Sequence, residues 1–262
     1  MTDLPLTGVG VLVTRPDHQS SELIDAIVAA GGQPIEFPVI DIVPRDTNRI
    51  EADLADMQSP DVIIFVSANA VAHGVRRIAC RNSIIGAIGS ATKKALQSAG
   101  VRVEICPDGG SDSERLLTED ALSNVAGKTI LIVRGTSGRE VLAETLRNRG
   151  ASVNYLSVYQ SCTHTPAADA MKSLEQIWRD GRVGAVMIMS VASLGSMLEI
   201  LPPYCRKQLQ KTRLVAPSTR VIQTALERIP GVTGILSAGP GAGEMTDALV
   251  ASLKGNSDTT NG

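Results

Sequence analysis

The residues best suited to chemistry are small polar side chains that follow apolar runs. They are Ser67 and Asn69 in "FVSANA", Ser90 and Thr92 in "IGSATKK", Ser190 and Ser193 in "MSVAS", and Ser218 and Thr219 in "APSTR". Where a strand gives way to a helix, small residues let a ligand approach backbone N–H groups, which carry about half a positive charge at a helix start. The same hydroxyls can instead cap their own helices and bind nothing. Their recurrence in four turns favours a site for a ligand bearing several carboxylates or phosphates. Arg15, Arg134 and Arg139, the last two in "RGTSGRE", would add charge-assisted hydrogen bonds at the same ends of the strands.

Other chemistries are poorly supplied. "GPGAGE" has Glu244 where a dinucleotide fingerprint needs its last glycine, and the "GK" at Gly127 and Lys128 has Leu122 where a P-loop needs glycine. His18, His73 and His164 have no metal-ligand spacing, and no Ser/His/Asp triad can be assembled. No cofactor and no metal are therefore expected. The 262 residues are 43% hydrophobic and 20% charged with a net charge of -2, as in a soluble globular protein without a basic field to attract nucleic acid. At 2% aromatic content, platforms for stacking bases are scarce. Four cysteines without a CxxC pair, and a start "MTDLPLTG" unlike a signal peptide, point to the cytoplasm. No apolar run approaches the roughly 20 residues that span a bilayer.

The elements that must position these residues repeat. Laying the chain on itself pairs "VGVLVTRP" with "KTILIVRG", so that Arg15 meets Arg134, Leu23 meets Leu142 and Gly31 meets Gly150 at one constant offset. Ser67 then meets Ser190, and Thr92 meets Thr219, at slightly larger offsets. Matched elements in one order argue for a duplicated architecture. Strands are expected near 9–14, 34–39, 61–66, 84–88, 101–106, 128–133, 152–158, 184–189, 212–216 and 232–236, alternating with helices. That alternation predicts two parallel sheets of about five strands, each covered by helices on both faces. "FPVIDIVPR" and "SVYQSCTHT" interrupt the pattern at equivalent places, either as ordinary loops or as paired linker strands. The polar tail "KGNSDTTNG" is expected to be disordered.

The chain resembles the uroporphyrinogen-III synthase family from about residue 9 to residue 252. The resemblance rests on "VLVTRP", "FPVIDI", "IIFVSANAV", "AIGSATKKAL", "ILIVRGTSGREVLAETLRNRGASV", "VYQ", "MSVASLGSML" and "PSTRVIQTAL", in that order and spacing. It implies an α/β protein with two flavodoxin-like parallel-sheet domains joined by a two-stranded β linker. Residues 1–36 with 166–262 would form one discontinuous domain and 43–157 the other, with 37–42 and 158–165 as linker strands. The implied activity is that of a cofactor-independent lyase. It cyclises the linear tetrapyrrole hydroxymethylbilane to uroporphyrinogen III, with inversion of ring D and loss of water, on the way to haem, sirohaem, chlorophyll or cobalamin. The resemblance further implies a cytoplasmic monomer supplied by hydroxymethylbilane synthase, with no nucleic-acid or membrane partner.

Under that reading Tyr159, on a linker strand, is the candidate catalytic residue, donating a hydrogen bond to the departing hydroxyl. An interface tyrosine that packs and bonds a backbone carbonyl is the plain alternative. The whole chain has an alternative too: a non-catalytic two-domain ligand-binding or regulatory module. That reading calls for a secretory signal, a DNA-binding headpiece or a helix-turn-helix extension, none of which the sequence displays.

Overall fold

Strands that read as unbroken apolar runs need cover on both faces, and the fold supplies it twice. The computed structural model describes residues 4–78, 82–108, 112–138 and 140–254. The chain runs β1 (Gly10–Val13), α1 (Ser21–Ala29), β2 (Gln33–Glu36), β3 (Ile40–Pro44), α2 (Thr47–Ala55), β4 (Val62–Phe65), α3 (Ala68–Gly74), β5 (Ile84–Ala87), α4 (Ser90–Ser98) and α5 (Ser113–Leu116). It continues through β6 (Thr129–Gly135), α6 (Val141–Asn148), β7 (Ser152–Thr163), α7 (Ala168–Arg179), β8 (Val183–Met187), α8 (Val191–Ile200), α9 (Pro203–Gln208), β9 (Arg213–Ala216), α10 (Thr219–Arg228), β10 (Thr233–Leu236) and α11 (Ala242–Lys254). Two compact units result. One holds the described residues up to Asp41 and from Thr163 onward, the other Ile42–Cys162.

The discontinuous unit has the sheet order β10-β9-β8-β1-β2, with every neighbouring pair parallel. Leu12 packs into a core with Trp178, Leu194 and Leu214, whereas Val11 and Val13 join Leu23, Ile27 and Leu249 on the other face. The continuous unit has the order β3-β7-β6-β4-β5, with β4, β5, β6 and β7 paired in parallel. Val62 and Ile64 meet Leu116 and Leu142 on one face; Ile63 and Phe65 meet Ile50 and Leu96 on the other. Read as β2-β1-β8-β9-β10 and β5-β4-β6-β7, both sheets follow the flavodoxin-like order in which the second strand precedes the first.

The matched glycines keep the same job in both units. Gly31 after α1 and Gly150 after α6 have φ of 86° and 87°, the left-handed conformation that ends a helix and that side chains resist. One expectation needs correction. The segment 101–106 is not a strand: Ile105 alone forms a bridge, to Gly86, and the Glu104 carboxylate accepts the Ile85 N–H at 2.9 Å where a strand carbonyl would otherwise serve. The fifth place in that sheet goes to β3, and of the two readings of the interrupting segments the paired strands hold, because β3 and the 12-residue β7 are neighbours in the sheet. The tail beyond Lys254 lies outside the described residues.

Gly10 sets the central pairing of its sheet. A Cβ added there would stand 1.8 Å from the Arg182 carbonyl oxygen, so only a bare backbone lets β1 lie against β8. Gly10→Ala should therefore lower the unfolding free energy by about 1–3 kcal/mol, the cost typical of overpacking, read as a lower urea midpoint at an unchanged m-value. A midpoint equal to the parent's would contradict this account of the β1–β8 contact.

Candidate functional site

In an open parallel sheet, ligands collect beyond the carboxyl ends of strands, at the point where strand order reverses. In the continuous unit the reversal falls between β4 and β6, because β4 leads to β5 on one side and β6 to β7 on the other. In the discontinuous unit it falls between β1 and β8. The candidate residues distribute around these two positions.

At the β4/β6 reversal, Ser67 follows β4 and caps α3, its Oγ accepting the Ala70 N–H at 3.0 Å. Tyr159 stands on β7 in register with Gly135 at the end of β6, and its hydroxyl lies 3.1 Å from Ser67 Oγ. A Cβ at Gly135 would come within 2.9 Å of the Tyr159 ring, so glycine makes room for the phenol. The tyrosine's polar partner is thus a serine hydroxyl at the sheet end. Asn69 is half-buried in the first turn of α3.

The next turn differs. Gly89 is the N-cap of α4, with extended backbone and no side chain to cap the helix, so Ser90 is the first helical residue and is exposed. No side-chain cap engages the first amides of this nine-residue helix, as an anion site requires. Thr92 turns inward at 3% exposure.

Arg134 lies on β6 beside this region and is 7% exposed. It donates to Glu140 at 2.9 Å and lies 4.6 Å above the centre of the Tyr155 ring, while the Tyr155 hydroxyl donates to the other Glu140 oxygen. Its charge is matched by Glu140, which is thereby tied to both β6 and β7. Arg139 lies outside the described residues.

In the discontinuous unit the Thr14 hydroxyl ties β1 to the Met187 carbonyl of β8 at 2.7 Å, fixing the reversal. Arg15 follows at once. Its Nη2 donates to the Pro240 carbonyl, and its Nε is buried without a hydrogen-bond partner among the described residues. Burial pulls the guanidinium pKa below its ordinary value and the Glu22 charge offsets this in part. Ser190 caps α8 through the Ser193 N–H at 3.0 Å and meets the Ser193 hydroxyl at 2.6 Å; Ser193 is 5% exposed. Ser218 caps α10 by a long bond of 3.4 Å from the Val221 N–H, and Thr219 is exposed in the first turn. The start of α11 is closed by its own acid, since Glu244 accepts the Gly241 N–H at 2.8 Å.

The structure thus gathers Ser67 and Tyr159 into one contact, leaves Ser90 at an uncapped turn, buries Thr92 and Ser193, and commits Arg134 to Glu140. Sequence reasoning missed Gly89, Gly135 and the Glu140–Tyr155 pair. The first had a signal, a glycine directly before Ser90; the others depend on pairing across strands. A hollow of about 700 Å³, lined by Gly195, Leu198, Glu199, Arg206 and Arg228, lies toward the far ends of α8 and α10 from their capped starts and does not belong to this constellation.

Comparison with known proteins agrees with this topology. The family described as "Uroporphyrinogen-III synthase HemD" matches residues 21–232. The chain is 31% identical over 229 residues to the uroporphyrinogen-III synthase of Escherichia coli, covering 84% of this chain and 91% of that one. It is 31% identical over 187 residues to that of Synechococcus elongatus, covering 67% and 70%. Crystal structures of a mutant uroporphyrinogen III synthase from Thermus thermophilus and of the Helicobacter pylori uroporphyrinogen-III synthetase share the fold. Their TM-scores are both 0.62, at 16% and 13% identity, and each match covers 94% of this chain and 99% of the other.

The Glu140 carboxylate is held below the usual carboxylate range, first by the Tyr155 hydroxyl and then by Arg134. Its folded pKa lies under its unfolded one, so the stability it contributes is present above about pH 4.3 and is lost as pH falls through the folded value. Glu140→Gln should accordingly unfold at lower temperature than the parent at pH 7, by a modest margin because Glu140 is exposed, and the gap should close in acid. A gap as wide at pH 3 as at pH 7 would show that charge is not what this contact contributes.

Proposed function

Because the chain belongs to the uroporphyrinogen-III synthase family, we propose that it converts hydroxymethylbilane into uroporphyrinogen III, closing the ring with inversion of ring D and loss of water. The relatives named above are enzymes, which favours this reading over a non-catalytic binding or regulatory module. The observation that carries the chemistry is the Tyr159 hydroxyl, held by Ser67 at the reversal point of its sheet.

The reaction needs departure of a hydroxyl, a developing azafulvene cation, and attack through the substituted carbon of ring D to give a spiro intermediate. Tyr159 donates its proton to the departing hydroxyl; a phenol is a weak acid, so its contribution is assistance. The acetate and propionate groups of the substrate are received at the strand ends of each unit. Arg15 suits one of them, since its buried Nε has no partner among the described residues, and so does the Gly89–Ser90 turn. Ser218 and Thr219 serve similarly, with Ser190, Ser193, Asn69, Thr92, Arg134 and Arg139 shaping or flanking the same ends. Most of the rate enhancement then comes from holding one folded conformer and shielding it from water.

The enzyme acts as a cytoplasmic monomer fed by hydroxymethylbilane synthase. Free thiols at Cys106, Cys162 and Cys205 suit a reducing compartment, and no helix among the described residues is long and apolar enough to cross a membrane.

Incubation with hydroxymethylbilane, followed by separation of type I and type III isomers, tests the function. The expected product is type III, formed faster than spontaneous closure; type I alone, at the spontaneous rate, would refute it. Tyr159→Phe should lower turnover by about ten- to a hundredfold while leaving type III as the product. Turnover equal to the parent's would remove Tyr159 from the mechanism.

A further inference from the structure

Tyr159 is confined on several sides. Gly135 leaves only 2.9 Å between its missing Cβ and the ring, and the His73 ring of α3 lies 6.1 Å away, centre to centre. Ser67 then fixes the hydroxyl at 3.1 Å. A serine hydroxyl has one proton and two lone pairs. One lone pair is committed to the Ala70 N–H, which leaves Ser67 its proton and one lone pair for further bonds. The phenol oxygen is within reach of that proton. If Ser67 donates, the phenolic proton is left free to point elsewhere. The α3 turn is also a poor carboxylate receptor compared with Gly89–Ser90, because Ser67 already occupies one of its amides.

We propose that Ser67 is a positioning residue for the reaction, donating a hydrogen bond to the Tyr159 oxygen so that the phenolic proton faces the departing hydroxyl. This rests on the reading of Tyr159 as proton donor and removes Ser67 from the residues that grip substrate carboxylates. In the step itself the carbon–oxygen bond of the hydroxymethyl group breaks, and the electron pair leaves with oxygen. The phenolic proton joins that oxygen to form water. The resulting phenolate accepts the Ser67 O–H. The proton lost from the macrocycle after inversion returns to the phenolate, so the enzyme ends unchanged and the net loss is one water.

The test is a double-mutant cycle: kcat and KM for hydroxymethylbilane, with Tm, for Ser67→Ala, Ser67→Gly, Ser67→Thr, Tyr159→Phe and Ser67→Ala/Tyr159→Phe. Ser67→Ala should lower kcat about tenfold with KM unchanged, and should have no further effect once Tyr159 is phenylalanine. Ser67→Gly retains most of an N-cap's stabilising effect but has no hydroxyl, so it should match Ser67→Ala in kcat while staying closer to the parent in Tm. Ser67→Thr keeps the hydroxyl and should recover most of the loss. An equal fold-loss of kcat in both Tyr159 backgrounds would make the role of Ser67 independent of the phenol. A raised KM with intact kcat would make it a substrate ligand. Either result overturns the proposal while leaving Tyr159 in the mechanism, whereas parental turnover in Tyr159→Phe removes both.

Discussion

At the reversal of strand order the chain cannot cover the ends of its own sheet. The connection leaving β4 turns toward β5, and the one leaving β6 turns toward β7, so the strand ends between them diverge. Parallel strands need helical crossovers, and in each sheet the helices that directly follow its parallel strands start at the carboxyl edge. The contact between Tyr159 and Ser67 exists because β7 pairs with β6 in a register that sets Tyr159 opposite Gly135. A slip of one residue would send the phenol to the other face of the sheet.

The turns at these edges compete with any ligand for the same amides. Ser67, Ser190 and Ser218 each accept an N–H from their own helix, and Glu244 does so for α11. At α4 the cap is Gly89, and no side chain competes. An anion is therefore held best where the protein has not already satisfied itself. The strength of each cap orders the turns: 3.0 Å at α3 and α8, 3.4 Å at α10, and no side chain at α4.

The two matched arginines part company on the same principle. Arg134 is buried against a carboxylate and an aromatic face, and its charge goes into holding the turn after β6. Arg15 is half-buried and donates to the Pro240 carbonyl, and desolvation pulls its pKa down. A half-buried cation with an unused, buried Nε–H favours an incoming carboxylate.

The residue pattern by itself determined the class of the fold, because parallel strands buried on both faces must be written as apolar runs such as "VGVLV" and "VIIF", and helix ends that need a left-handed turn must be written with Gly31 and Gly150. It also located the turns that carry Ser67, Ser190 and Ser218, since strand-to-helix changes are local events. Tertiary structure alone decided which residue at each turn is spent and which is free. Thr92 and Ser193 face inward, Arg134 finds Glu140, Ile105 manages only a bridge, and Tyr159 reaches Ser67 across 92 positions of sequence. Those outcomes depend on register and on partners far along the chain, and hydrogen-bonding capacity is exhausted by whichever partner the fold brings near.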